Sequence, residues 1–221
     1  MIQLAYIISA YKYPGQLARL VSRLQDDGVQ FFIHYDKKSS DEEFRQLAVR
    51  FGDMPNVHLL KRHKCFWGDF GHVQATIKGI KEIVRREVPC DYVILLTAQD
   101  YPIKTNEQIR RFFAASGGKS FMQYCPLPAK ELRQERYGYD RIERWHFRVF
   151  SQRHGFPIAR QFANPLARLF CALLNSLLPK QRRFPAEFVP FWGSSYWCLT
   201  RESIEYIYEF ITSHQQFVDF F

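Results

Sequence analysis

Apolar runs and amphipathic stretches alternate through the first half of the chain. Leu4 to Ile8 is an unbroken apolar run, the pattern of a strand buried on both faces. Pro14 opens a helix where its missing N–H costs nothing, and Leu17, Leu20, Val21 and Leu24 recur at helical spacing until Gly28 ends it. Val29 to Tyr35 reads as the second strand. Ser40-Asp41-Glu42-Glu43 has the form of a capping box and starts a helix through about Phe51. Val57 to Leu60 is a short third strand. Val73, Ile77, Ile80 and Val84 mark a long helix from near Asp69, whose carboxylate suits the positive end of the helix dipole. Tyr92 to Leu96 is again a fully apolar strand, and Thr105-Asn106-Glu107-Gln108 caps the next helix. This β-α-β-α order predicts an α/β fold, a mostly parallel sheet with helices on both faces.

After residue 120 the pattern loosens. Phe121 to Tyr124 fits an inner strand, residues 195–200 another, and Thr200 caps a last helix with Glu202 in its first turn. Residues 163–178 form an apolar helix with basic residues on both sides. Such a stripe is more often core, but a membrane-surface helix has the same pattern. The 221 residues make one large domain or two small ones, with enough chain for a sizeable core. No run of about 18 apolar residues is present, and Met1 to Tyr6 lacks the features of a signal peptide. The five cysteines are widely spaced without a C-x-x-C pair, as in reduced thiols of a cytosolic protein. The expected location is therefore cytoplasmic, with peripheral membrane contact through 163–183 as the variant. The net charge is +9, and residues 130–183 hold twelve lysines and arginines against four acidic residues. Such a stretch suits phosphate, carboxylate or an anionic surface. No nucleic-acid module accompanies it, so nucleic acid is not an expected partner.

Candidate chemistry gathers at strand ends. Thr97, Gln99 and Asp100 follow the Tyr92–Leu96 run, and Pro102 stops the ladder there. In open α/β sheets ligands bind at that edge. Asp100 either reaches a sugar hydroxyl, a nucleotide hydroxyl or a metal, or simply starts a turn. Asp36, in His34-Tyr35-Asp36-Lys37-Lys38, brings a second carboxylate to the same edge, while His34 inside its strand fits a hydrogen-bonded structural residue. D-x-D, H-E-x-x-H, G-x-S-x-G, the P-loop pattern and G-x-G-x-x-G are all absent. Nucleotide phosphates, if bound, would then be held by basic side chains or helix ends in place of a chelated ion.

Five segments occur in a telling order: Ala5 to Lys12, Phe32 to Lys38, Phe66-Trp67-Gly68, Gln99 to Ile103, and Trp192 to Trp197. Together they resemble the core-2/I-branching β-1,6-N-acetylglucosaminyltransferases, a family related to the peptide O-xylosyltransferases, from residue 2 to about 213. The resemblance implies a GT-A-like, Rossmann-type fold in one domain, with 1–120 as the nucleotide-sugar half and 121–221 as the acceptor half. It further implies inverting transfer of a sugar, N-acetylglucosamine foremost, from a UDP-sugar donor to a glycan acceptor, without a cofactor or divalent metal. By motif position, Asp36 would bind uridine, Ile7 to Ala10 would line the uracil pocket, and Trp67 and Asp100 would lie along the nucleotide-sugar. Gln123 and Arg141 fall near acceptor-contacting positions, and Gln123 stands where an acidic residue is common. Trp192, Ser195 and Tyr196 would belong to the acceptor wall. The family's catalytic glutamate follows the helix that corresponds to 201–213, and its diphosphate-binding basic residues come later still. The chain reaches Phe221 before either, so it is expected to be a C-terminally truncated fragment or shortened homologue without the base.

Overall fold

The computed structural model describes residues 1–129, 138–149, 152–156, 165–177 and 182–221. The chain divides into two compact units, residues 1–123 with 194–219 and 221, and residues 124–193 with 220.

The first unit carries the alternating elements: β1 (Leu4–Ala10), α1 (Pro14–Leu24), β2 (Val29–Tyr35), α2 (Asp41–Phe51), β3 (Val57–Leu59), α3 (Gly71–Arg85), β4 (Tyr92–Thr97) and α4 (Asn106–Ala115). After β5 (Phe121–Pro126), the sheet is completed by β8 (Phe191–Thr200), and α7 (Arg201–Ser213) and α8 (Gln215–Phe220) follow. The sheet order is β3-β2-β1-β4-β8-β5. β1, β2, β3 and β4 are parallel, and β8 runs antiparallel to β4. The expected mostly parallel α/β sheet is therefore present.

Strand side chains alternate between two cores. Tyr6, Ile8, Phe31, Ile33 and Tyr35 meet α1, α2 and α4 on one face. Ala5, Ile7, Phe32 and Val93 meet α3 and α7 on the other. On that second face α3 comes so close to β1 that a Cβ on Gly79 would lie 2.9 Å from three side-chain carbons of Ile7.

Boundaries differ from the sequence reading in specific ways. α1 ends at Leu24, and Gly28, at φ 68°, lies in the turn into β2. α3 starts at Gly71, two residues past Asp69. Ser40 accepts hydrogen bonds from the Glu42 and Glu43 N–H groups, whereas Thr105 and Gln108 form the full reciprocal box.

The second unit includes the short helix α5 (Asp140–Glu143), the antiparallel pair β6 (Trp145–Val149) and β7 (Gln152–Phe156), and α6 (Pro165–Leu177). The β6–β7 pair was not anticipated from the sequence. α6 was expected to bury its apolar stripe, yet Leu166, Leu169, Phe170 and Leu173 are all exposed.

Gly79→Ala tests the tight α3–β1 contact. On an open helix this change gains about 1 kcal/mol of helix propensity. Here it overpacks Ile7, at about 1–3 kcal/mol, so a net loss of about 1 kcal/mol is expected in urea unfolding. Combining it with Ile7→Ala should cost less than the sum of the two single changes, and strict additivity would mean that the contact is looser than described.

Candidate functional site

The strands succeed one another from β1 to β3 in one direction, and the chain then returns to place β4 on the other side of β1. That reversal leaves a crevice between the carboxyl ends of β1 and β4, the usual ligand position in such sheets. A cavity of about 630 Å³ opens there. Ser9, Tyr11 and Lys12 come from the end of β1, and Leu95 to Gln99 from the end of β4. His72, Val73 and Thr76 come from the first turns of α3, Ser194 to Trp197 from β8, and Trp67 from the loop before α3.

Local chemistry explains the display of these groups. A hydrogen bond from Asp69 N–H to Phe66 O closes a turn, and Gly68 takes the φ of 75° that glycine adopts without steric cost. Trp67 thus stands 86% exposed at the cavity and is not a core residue. Tyr13 holds a left-handed φ of 57° where β1 passes into α1, and such strain in a bulky residue is maintained by its surroundings. Lys12 Nζ sits 5.0 Å from the Tyr11 ring centroid and 4.8 Å from that of Tyr13, within cation–π range. Gln99 Nε2 donates to the Tyr11 hydroxyl at 3.2 Å. Hydrogen bonding with Lys12, then with Gln99, lowers the Tyr11 pKa, and the same contact raises that of Lys12. Among the described lining residues Lys12 is the one lysine or arginine. Burial lowers the pKa of His72, against the pull of Asp36 in the other direction.

Of the residues singled out in the sequence, Ser9, Trp67, Thr97, Gln99, Ser195 and Tyr196 line this cavity together. Ile7 is buried beneath Gly79, and Ala10 is buried with its carbonyl accepting from Asp36 N–H at 2.8 Å. Asp36 is only 3% exposed. Its Oδ1 accepts from the N–H groups of Lys38 (2.8 Å) and Cys65 (3.3 Å), and Lys38 Nζ lies 3.5 Å from Oδ2. Asp100 folds back on the strand end. Its Oδ2 accepts from Thr97 N–H at 2.6 Å and Thr97 Oγ1–H at 3.1 Å, and its N–H donates to Thr97 O, which is the turn chemistry. Its neighbours Thr97, Ala98 and Gln99 face the cavity. Gln123 is exposed on β5. Arg141 (exposed, on α5) and Trp192 (half-buried, on β8) belong to the second unit.

Sequence reasoning missed Tyr11, Lys12, His72 and Thr76. The signal for Tyr11 and Lys12 was available, since they follow a buried strand just as Gln99 does. It also missed Arg62, whose guanidinium donates to the carbonyls of Tyr35 (3.1 Å), Asp36 (3.0 Å) and Ser39 (2.8 Å) and pairs with Asp41. That one side chain holds the loop after β2.

Among the described residues His34, His63 and Cys65 form the one trio of potential metal ligands, with donor atoms within 4.8 Å of one another. Imidazole and thiol suit zinc, but hydrogen bonds already engage these atoms. His63 Nε2–H donates to Gly71 O (2.8 Å), so Nδ1 is left to accept from Lys78 Nζ (2.7 Å), while His34 Nε2 lies 2.9 Å from that Nδ1 and 3.2 Å from the His63 backbone nitrogen. The Lys78 ammonium supplies positive charge where an ion would. The trio thus acts as a hydrogen-bonded tie between β2 and the start of α3, in line with a structural His34. Burial pushes the His34 pKa down to about 4 and the Cys65 thiol up to about 11.

The geometry defines an α/β protein with a ligand crevice at the switch point of its sheet. A family model for the core-2/I-branching enzyme matches residues 4–218, and the chain belongs to that family. Human N-acetyllactosaminide β-1,6-N-acetylglucosaminyl-transferase is 29% identical over 118 residues, covering 53% of this chain and 29% of that protein. Rat xylosyltransferase 2 is 25% identical over 213 residues, covering 94% of this chain and 21% of that protein. The chain thus spans less than a third of either relative's length.

The depressed His34 pKa sets a pH dependence. The unfolded chain accepts a proton on this histidine from about pH 6.5, and the native state resists it until about pH 4. This contribution to stability is therefore complete above pH 6.5 and is lost as pH falls toward 4, by about 3 kcal/mol. Urea unfolding at neutral pH and near pH 4 should show the loss, and His34→Gln should flatten it. An unchanged slope in that variant would assign the effect to other groups.

Proposed function

We propose that this chain forms the donor site of an inverting glycosyltransferase that moves N-acetylglucosamine from UDP-N-acetylglucosamine to a glycan hydroxyl without a divalent metal. The observation that carries this reading is the switch-point cavity, with Lys12 as the one lysine or arginine among its described lining residues. A cation at that wall meets the charge that develops on the departing diphosphate, a task a chelated ion performs in other sites. Tyr11 and Tyr13 hold the ammonium in place through their ring faces. Trp67, Tyr196 and Trp197 offer flat apolar faces for sugar rings. The name of the human relative supports N-acetylglucosamine as the sugar, and the xylosyltransferase relatives make xylose the competitor to test.

Asp36 serves this site through its electrostatic pull on His72 and by fixing the loop after β2. The acceptor hydroxyl must lose a proton as it attacks the anomeric carbon. No aspartate or glutamate lines the cavity among the described residues. That observation favours a second reading, a UDP-sugar-binding relative that does not turn over.

Calorimetric titration with UDP-N-acetylglucosamine, UDP-xylose, UDP and uridine in excess EDTA tests the proposal. Binding of UDP-N-acetylglucosamine that survives EDTA and exceeds that of UDP-xylose is expected. A folded chain that binds no UDP species, or binds only with added magnesium, overturns it. Release of UDP on incubation with glycan acceptors separates the two readings. Lys12→Met should weaken UDP about tenfold, or about 1.4 kcal/mol, and leave uridine binding unchanged. An equal loss for both ligands would remove Lys12 from the diphosphate.

A further inference from the structure

α6 lies outside everything the cavity explains. Leu166, Leu169, Phe170 and Leu173 recur at i, i+3, i+4 and i+7, which puts them on one face of the helix. They are 75%, 69%, 61% and 54% exposed. Four large apolar side chains on one exposed face call for an apolar neighbour.

The charge of the surrounding chain says which one. From Arg144 to Ala186 the sequence contains eight lysines and arginines and no aspartate or glutamate. Three of them, Lys180, Arg182 and Arg183, follow α6 within a few residues. A second copy of the chain would bring like charge against like. A nucleic acid would satisfy the arginines and leave the leucines in water. An anionic lipid surface satisfies both, because headgroups attract the basic residues while the apolar face enters the acyl boundary. With 13 residues α6 is too short to cross a bilayer, and no helix among the described residues is long and apolar enough to do so. We propose that α6 lies flat in the interface of an anionic membrane, held by its Leu/Phe face and by the acid-free basic segment around it.

The test is co-sedimentation of the 221-residue chain with phosphatidylcholine vesicles, with and without phosphatidylglycerol. Binding at least tenfold stronger to the anionic vesicles, weakening as salt is raised, is expected. Leu169→Glu with Phe170→Glu should lose that binding, and so, separately, should Lys180→Glu with Arg183→Glu. Thermal melts by circular dichroism check that each variant is folded. The charge-reversal pair tests the proposal even if the first pair fails to fold. Equal binding to both vesicle types overturns the proposal, as does anionic binding that survives both pairs of substitutions. So does a chain that ignores vesicles but binds a random oligonucleotide, which would make the basic segment a nucleic-acid face. A dimer in sedimentation equilibrium that Leu169→Glu with Phe170→Glu dissociates would mean that a second copy covers the stripe.

Discussion

The site depends on β1 being hydrogen-bonded along both edges. Residues Leu4 to Ala10 pair with Val29 to Tyr35 on one side, and Leu4 to Ser9 pair with Tyr92 to Thr97 on the other. A strand so enclosed has both faces buried, and its composition follows from that. The same pairing brings Ser9 level with His34 and Thr97, so three polar strand ends arrive at one edge. Because the chain moves to opposite sides of β1 before and after α3, the loops there must part. The crevice is a consequence of strand order, and ligand chemistry is built on whatever residues follow the strands.

A second tier of interactions keeps that edge rigid. Arg62 gathers the carbonyl of Tyr35 at the end of β2 and those of Asp36 and Ser39 after it, and its guanidinium stacks 4.5 Å from the Phe44 ring centroid. Asp36 reaches across to Cys65, and the His34–His63 contact links β2 to the residues that lead into α3. These bonds join segments whose side chains face the cavity at Trp67 and His72. Buried polar groups of this kind are costly unless paired, so a nearly complete set of bonds is what permits polar residues below a sheet edge. Their arrangement also separates two roles that a sequence motif merges. Asp36 and Asp100 both accept from backbone N–H groups, and beside Asp100 it is Thr97, Ala98 and Gln99 that face the cavity.

Much of the frame was legible along the chain. Apolar runs such as Tyr92 to Leu96 and the stripe Leu17, Leu20, Val21, Leu24 announce their elements, because a buried strand and a half-buried helix have different periods. Five motif segments in order announced the family, since they sample both ends of the chain. The difficult places were those where local pattern carries no information about neighbours. Trp145 to Val149 does alternate apolar and polar residues, but Gln152 to Phe156 offers no matching pattern and Phe150-Ser151 no turn signal. Stripe 166–173 looks the same whether it packs against protein or lipid. Arg62 gave no sign of its role, because its partners are carbonyls, which every residue has.

By itself, then, the sequence determined the elements of the first half, their α/β order, the family and the polar character of the strand ends, all of which follow from periodicity and local chemistry. Tertiary structure alone decided that Tyr11, Lys12, His72 and Tyr196 share one cavity, and that Ile7 lies beneath Gly79. It also decided that the carboxylates of Asp36 and Asp100 turn inward to backbone donors. The physical reason is the same in each case. Which residues face one another depends on strand order and helix approach, and these are set by burying two faces of one sheet at once.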